Sequence, residues 1–249
     1  TLAKAYTVPD HIHSVIMLCG NTIRACSGAT PIFVDVEIDT FNIDVIDLEL
    51  KIKEVLNEGI LNPRVIIPVD LFGLLANYQQ IEIIVKKYNL LILEDAAQGF
   101  GGSINSKKAC SFGDVATTSF FPAKPLGCYG DGGALMTNSD VLAQKMRMIA
   151  NHGQEKKYYH KLLGCNSRLD SIQAAVLTIK LKHLDTYNNA RNEMANYYSS
   201  ALAQIDGLQI PERQNNSTHV FHQYTLRVKD GKRNGLQRYL SDNGIPSMI

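Results

Sequence analysis

The run LLILED, residues 90–95, is almost continuously apolar until it ends on two carboxylates. A strand with no polar face is buried on both sides, a condition met by a parallel sheet covered with helices on each face. Four further runs have the same character: TPIFVDV (30–36), PRVIIPVDL (63–71), VATTSFF (115–121) and GALMTN (133–138). Between them, IDLELKIKEVLNE (46–58) and NYQQIEIIVKKYN (77–89) carry apolar residues at helical spacing. The alternation predicts βαβ units, hence an α/β fold of three layers, α/β/α, around a mainly parallel sheet.

Residues 167–205 show long helical periodicity without a proline, which carries the chain out of this first unit. The boundary is set near Asp185, giving a large domain over 1–185 and part of a smaller α+β domain over 186–249. In the second unit, TLRVKD reads as a strand and RNGLQRYLSDNGI as a helix that stops at Asn243–Gly244. A chain of 249 residues is long enough for such an arrangement.

Charge and cysteine usage exclude several classes of function. With 25 basic and 24 acidic side chains, no long-range field draws the chain to nucleic acid or to an anionic membrane. Five cysteines, odd in number and without CxxC spacing, fit reduced thiols. No apolar run reaches the length of a membrane span, and a cytoplasmic location is expected. In GFGGSI (99–104), Ile104 stands where a dinucleotide-binding loop needs its third glycine, which disfavours an oxidoreductase. DVEIDTFNID lacks the glycine of a calcium loop. The pairs His11/His13 and His219/His222 have no neighbouring ligands to complete a metal set, and read as surface or strand histidines.

Chemistry concentrates at two strand ends. The first run delivers Glu94, Asp95 and Gln98 at its carboxyl end, the edge where open α/β sheets bind ligands. VATTSFF presents Thr118 and Ser119, and Lys124 follows in SFFPAKPLGCYGDGG (119–133). Taken alone, Lys124 reads equally as a surface lysine in a glycine-rich turn, and Asp95 as a helix cap. Together, an amine, a carboxylate and hydroxyls suit pyridoxal phosphate: a Schiff base, a partner for the pyridine nitrogen, and a phosphate cradle. A lysine amine with an ordinary pKa of about 10.4 is almost wholly charged at neutral pH. Packing by Phe120, Phe121, Pro122 and Leu126 is expected to disfavour that charge, while Gly127, Gly130, Gly132 and Gly133 let the backbone turn beside a bulky ligand.

The blocks at 28–44, PVDLFG (68–73), EDAAQGFGG (94–102), 111–138 and 151–177 resemble the DegT/DnrJ/EryC1/StrS sugar aminotransferases, fold-type-I pyridoxal phosphate enzymes. The resemblance implies that Lys124 forms the Schiff base and shuttles a proton, and that Asp95 partners the pyridine nitrogen. It implies that Gln98 is packed by the cofactor ring and that Ser119 binds the phosphate. Asn166, in NSRLD, would reach the cofactor of a neighbouring subunit, making the active form a homodimer with shared sites. Arg168 would contact an anionic sugar nucleotide, the alternative being a surface salt bridge. The implied reaction moves an amine from an amino donor, glutamate in most relatives, to a keto group of a nucleotide-linked sugar. The block from His152 to Asp170 is most similar to members acting on 3-keto uronic-acid derivatives of UDP-N-acetylglucosamine, made for surface polysaccharide.

Two departures from the family pattern accompany the resemblance. Residues 1–21 hold no counterpart of the usual phosphate-binding helix start, and Met17 falls where an aromatic residue usually stacks on the ring. The chain also stops after PSMI, before a segment that covers the substrate. It therefore reads as the middle of such an enzyme, truncated at both ends, and the alternative is a catalytically poor or non-catalytic member acting as an interaction partner.

Overall fold

A computed structural model describes residues 28–249, and residues 12–15 for their backbone. Met17, Cys19, Cys26, His11 and most of 1–21 lie outside the described residues. The strands are β1 (Ile12–Val15), β2 (Thr30–Pro31), β3 (Asn62–Ile66), β4 (Leu91–Asp95), β5 (Ser103–Ile104), β6 (Lys107–Lys108), β7 (Val115–Ser119), β8 (Gly133–Met136), β9 (Gln154–Lys156), β10 (Tyr159–His160), β11 (Leu208–Gln209) and β12 (Arg227–Val228). Six of them form one sheet in the order β2-β1-β3-β4-β7-β8. All its neighbours run parallel except β7 and β8. The fold is α/β, as the alternation of apolar runs predicts.

Helices α1 (Val45–Glu58) and α2 (Tyr78–Tyr88) fall where the periodicity places them. Asp44 caps α1 by accepting from the N–H groups of Ile46 and Asp47, and Gly59 ends it at φ 67°. Asn77 caps α2 through Gln80 N, and Asn89 ends it in the left-handed region at φ 52°. Their buried faces, with Leu48, Ile52, Ile81 and Ile84, pack with Ile66 of β3 and Ile92 of β4 in one core cluster. A helix outside the predicted alternation, α3 (Asp140–Ala150), starts at Ser139, whose Oγ accepts from Leu142 N.

The helical stretch predicted over 167–205 divides. α4 (Ser171–Lys180) is capped by Asp170, a 3-10 turn follows at Leu181–His183, and α5 (Leu184–Leu202) runs on from it. Leu177 of α4 and Leu184 of α5 join Phe120, Leu126 and Cys128 in a second core cluster, against which Ala134 of β8 packs. α6 (Arg233–Asp242) ends as predicted, with Asn243 as its cap and Gly244 at φ 74°.

Several strands are shorter than their apolar runs, each for a local reason. After Pro31 the chain leaves the sheet, because Asp35 N donates to Asp47 Oδ2 and Val36 N to Asp35 Oδ1, side-chain bonds that compete with a ladder. β3 stops at Ile66 ahead of Pro68, which has no N–H to give. β7 stops at Ser119, whose Oγ takes the N–H of Phe121 at 3.2 Å. Past Asp185, the β11–β12 pair is tied back to the first unit: Arg227 Nη2 and Gln209 Nε2 both donate to Asp39 Oδ1, at 2.7 and 3.0 Å.

Candidate active site

Alternation along β4 sends Glu94 and Asp95 to opposite sides of the sheet. Glu94 is fully buried, and its carboxylate accepts from the backbone N–H groups of Cys110, Phe112 and Gly113, the last two at 2.8 and 3.2 Å. Burial pushes its pKa up and those three donors oppose the shift, so Glu94 pins the 110–113 turn. Asp95 ends the strand half-buried, its backbone tied to Pro68 O at 2.9 Å and to Asp70 N at 3.0 Å. One of its oxygens, Oδ1, accepts from Ala97 N at 3.1 Å; the other has no bonded donor among the described residues. Burial holds the Asp95 carboxyl above its ordinary value, opposed by that N–H and by the charge of Lys124. The structure thus brings Asp95 and Lys124 within electrostatic reach of each other.

β7 pairs with β4 in register, Asp95 opposite Thr117, which sets Ser119 just beyond Asp95 on the neighbouring strand. Thr118 points inward and is buried, while Ser119 is half-buried. Lys124 closes a tight turn, its N–H donating to Phe121 O at 2.9 Å. The apolar setting expected around it is half present: Phe120 and Leu126 are buried, but Phe121 and Pro122 turn outward to solvent. The reason is the bond from Phe121 N to Ser119 Oγ, which ends the strand before Phe121.

The glycines after Lys124 have a different use from the one expected. None of Gly127, Gly130, Gly132 and Gly133 has a positive φ. They are sites of close approach: a Cβ on Gly127 would stand 2.4 Å from Pro122 O, and one on Gly133 2.9 Å from Thr118 O.

Gln98 lies half-buried after Asp95, and its Oε1 accepts from Phe72 N at 2.8 Å. The 71–73 turn that it holds is also gripped by buried Asn42, which accepts from Leu71 N and donates to Leu74 O. Residues 219–223 lie along that turn, with Val220 N bonded to Gly73 O and Gln223 N to Phe72 O. Gly73, at φ 100°, leaves no space for a side chain there, since a Cβ would meet His222 N at 2.9 Å.

Sequence reasoning placed His219 and His222 on the surface or in a strand, and the structure corrects both. His219 is buried and stacked on Phe221 at 3.8 Å, with its pKa lowered to about 3 by burial and then by Arg213. His222 is half-buried and lowered to about 4 by burial, then by the charges of Lys124 and Arg191. It therefore belongs to the surroundings of Lys124. Asp70 is a second residue the sequence did not single out: fully buried, it accepts from Ala76 N at 3.1 Å and Tyr78 Oη at 2.8 Å, both through Oδ1. Burial and then the charge of Glu94 hold it well above the usual carboxylate range. Its only sequence signal is an aspartate inside an apolar run.

Asn166 and Arg168 are exposed, and Arg168 Nε donates to Asn166 Oδ1 at 2.9 Å. No hydrogen bond or ion pair joins either to Asp95, Gln98, Ser119 or Lys124. Among the described residues, no carboxylate pairs with Arg168.

Set against known proteins, residues 20–249 match the model of the DegT/DnrJ/EryC1/StrS aminotransferase family. The chain belongs to that family. It is 44% identical over 232 residues to a "Pleiotropic regulatory protein" of Geobacillus stearothermophilus, covering 92% of this chain and 59% of the relative. It is 42% identical over 225 residues to the UDP-2-acetamido-2-deoxy-3-oxo-D-glucuronate aminotransferase of Pseudomonas aeruginosa, covering 90% of this chain and 60% of that protein. A crystal structure of a DegT DnrJ EryC1 StrS aminotransferase from Brucella abortus superposes with a TM-score of 0.91 at 42% identity, over 96% of this chain and 64% of that one. The chain thus spans about three-fifths of the length of the curated relatives it matches. Among the described residues, no helix is long and apolar enough to cross a membrane.

Proposed function

We propose that this DegT/DnrJ/EryC1/StrS family member is a pyridoxal-phosphate-dependent aminotransferase. It passes an amino group, with glutamate as donor, to a keto group of a nucleotide-linked sugar destined for surface polysaccharide. The observation that carries the reading is the placing of Asp95 at the end of one strand and Lys124 in the turn after its neighbour, near enough that the charge of Lys124 acts on the Asp95 carboxyl. The residues fit the cofactor in kind. Asp95 keeps one carboxylate oxygen without a donor among the described residues, and Ser119 Oγ, which accepts from Phe121 N, still has a proton to donate.

When bound, pyridoxal phosphate supplies an electron sink for carbanion chemistry next to nitrogen. The protein's own groups do the rest. Lys124 anchors the group covalently and moves a proton at its Nζ. Asp95 holds a proton on the ring nitrogen, and a positive charge there favours its carboxylate over the protonated form that burial promotes. Ser119 donates to the phosphate. Gln98, fixed by the 71–73 turn, packs by the ring. Asn166 reaches the cofactor of a second subunit in a homodimer, and Arg168 meets the anionic sugar nucleotide. Residues 186–249 form part of a smaller domain, and the protein acts in the cytoplasm.

The name of the Pseudomonas aeruginosa relative supports a UDP-linked 3-keto uronic acid as the acceptor. A purely non-catalytic role is not favoured, because the lysine, the aspartate and the serine are all present at one sheet edge. Purified protein given pyridoxal phosphate should turn yellow and, after borohydride, carry the label on a peptide containing Lys124. Label on another lysine, or none, overturns the reading.

A further inference from the structure

The loop that carries Lys124 is held from outside by one helix. Two residues of α4, Gln173 and Lys180, are seven apart, which is two helical turns and hence one face. Gln173 Oε1 accepts from Tyr129 N at 2.8 Å. Lys180 Nζ donates to Gly127 O and stands 5.7 Å from the centroid of the Tyr129 ring. The loop therefore has an acceptor for one of its N–H groups and a cation for one of its carbonyls, both from α4.

The loop's own bonds leave those two groups to the helix. Cys128 N and Sγ both donate to Phe120 O, at 2.8 and 3.0 Å, and Phe120 N donates to Gly132 O, so the loop is closed at its base. The peptides on either side of Cys128 are the ones that α4 takes up. Gly127 is pressed on Pro122 O, so a shift of its carbonyl must move the 121–124 turn as well. A charged donor on a carbonyl forms one of the stronger protein hydrogen bonds, and lysine is a flexible cation that a neutral side chain of equal length does not replace.

The same helix starts three residues after Arg168 and five after Asn166, which closes a bridge to Asn151. α4 is thus a rigid link between the Lys124 loop and the Asn166–Arg168 surface. We infer that Lys180, with Gln173, is a positioning residue for Lys124: it fixes the Gly127 peptide, and through it the turn that aims the reactive amine.

The inference rests on the reading of Lys124 given above, and two measurements keep the two apart. In protein without cofactor, hydrogen–deuterium exchange of the peptide spanning 124–130 should rise in Lys180→Met and Gln173→Leu, while core peptides of β4 keep wild-type exchange. With pyridoxal phosphate added, Lys180→Met should acquire the borohydride-stable label on Lys124 roughly tenfold more slowly. The pH midpoint of the yellow absorbance should also shift, and Lys180→Arg should restore both. A merely structural role would lower the melting temperature without moving that midpoint. Unchanged loop exchange in both variants overturns the clamp, as does labelling of Lys180→Met at the wild-type rate and midpoint. If wild-type protein takes no label at Lys124, the assignment of that lysine fails, and the exchange data alone still decide the clamp. Gln173→Leu, which removes no charge, serves if Lys180→Met does not fold.

Discussion

Glu94 and Asp95 are neighbours in the chain with opposite surroundings: Glu94 is sealed beneath three backbone N–H groups, and the Asp95 carboxylate, among the described residues, accepts from Ala97 N alone and feels the charge of Lys124. The difference separates a carboxylate that shapes the fold from the one we propose serves the cofactor.

Glu94→Ala strands the N–H groups of Cys110, Phe112 and Gly113 in a buried setting. Each unsatisfied donor costs about 1–3 kcal/mol. The variant is expected to melt many degrees lower than wild type in a calorimetric or circular-dichroism scan. A melting temperature within a degree or two of wild type would show that water or a shifted loop replaces Glu94.

Asp95→Asn keeps the shape of the side chain and removes its charge. The fold should survive, since Asp95 accepts one local bond that an amide oxygen also accepts. Transaminase activity should fall by about 10² or more, the scale of a lost preorganised charge. Cofactor retention by gel filtration should fall with it. Undiminished turnover would remove Asp95 from the site.

Gly127→Ala places a Cβ within 2.4 Å of Pro122 O, a backbone atom that moves only with the Lys124 turn. Overpacking of this kind costs about 1–3 kcal/mol. Covalent attachment at Lys124 should slow along with the loss of stability, which mass spectrometry after borohydride would record. Gly130→Ala meets the flexible end of Gln173 instead, at 3.2 Å, and should be the milder change.

His219 and His222 fix the sign of the acid response. Their folded pKa values, about 3 and about 4, lie below the ordinary histidine value of about 6.5. The unfolded chain therefore takes up protons first, so their contribution is full above pH 6.5 and is lost as pH falls toward 4 and then 3. Protonation would also remove the acceptor lone pair that His219 Nδ1 offers Phe221 N at 3.0 Å. His219→Gln should flatten the fall in urea midpoint between pH 6.5 and 4. An identical slope in the variant would assign the acid sensitivity to other groups.

Much of the order of strands and helices, though not β1 or α3, could be read from the chain because it rests on local pattern. A continuous apolar run can be satisfied in a covered parallel sheet, and caps such as Asp44, Asn77 and Asp170 are written beside the residues they bond. Lys124 and Asp95 stand out in the sequence as polar groups that follow or end apolar strands, and it is the family resemblance that implies their roles.

Tertiary contacts decided the rest. Whether a strand end continued depended on distant acceptors such as Asp47 beside Asp35, and whether a glycine was needed for φ or for space depended on what lay opposite it. The histidines changed character because residues 219–223 lie along a turn some 150 positions earlier in the chain. The grip of Lys180 on Gly127 joins residues 53 apart. Hydrophobic periodicity acts over one or two turns of chain and so is visible in the sequence by itself. Burial, charge–charge reach and the pairing of remote donors depend on three-dimensional neighbours, which the folded structure alone sets.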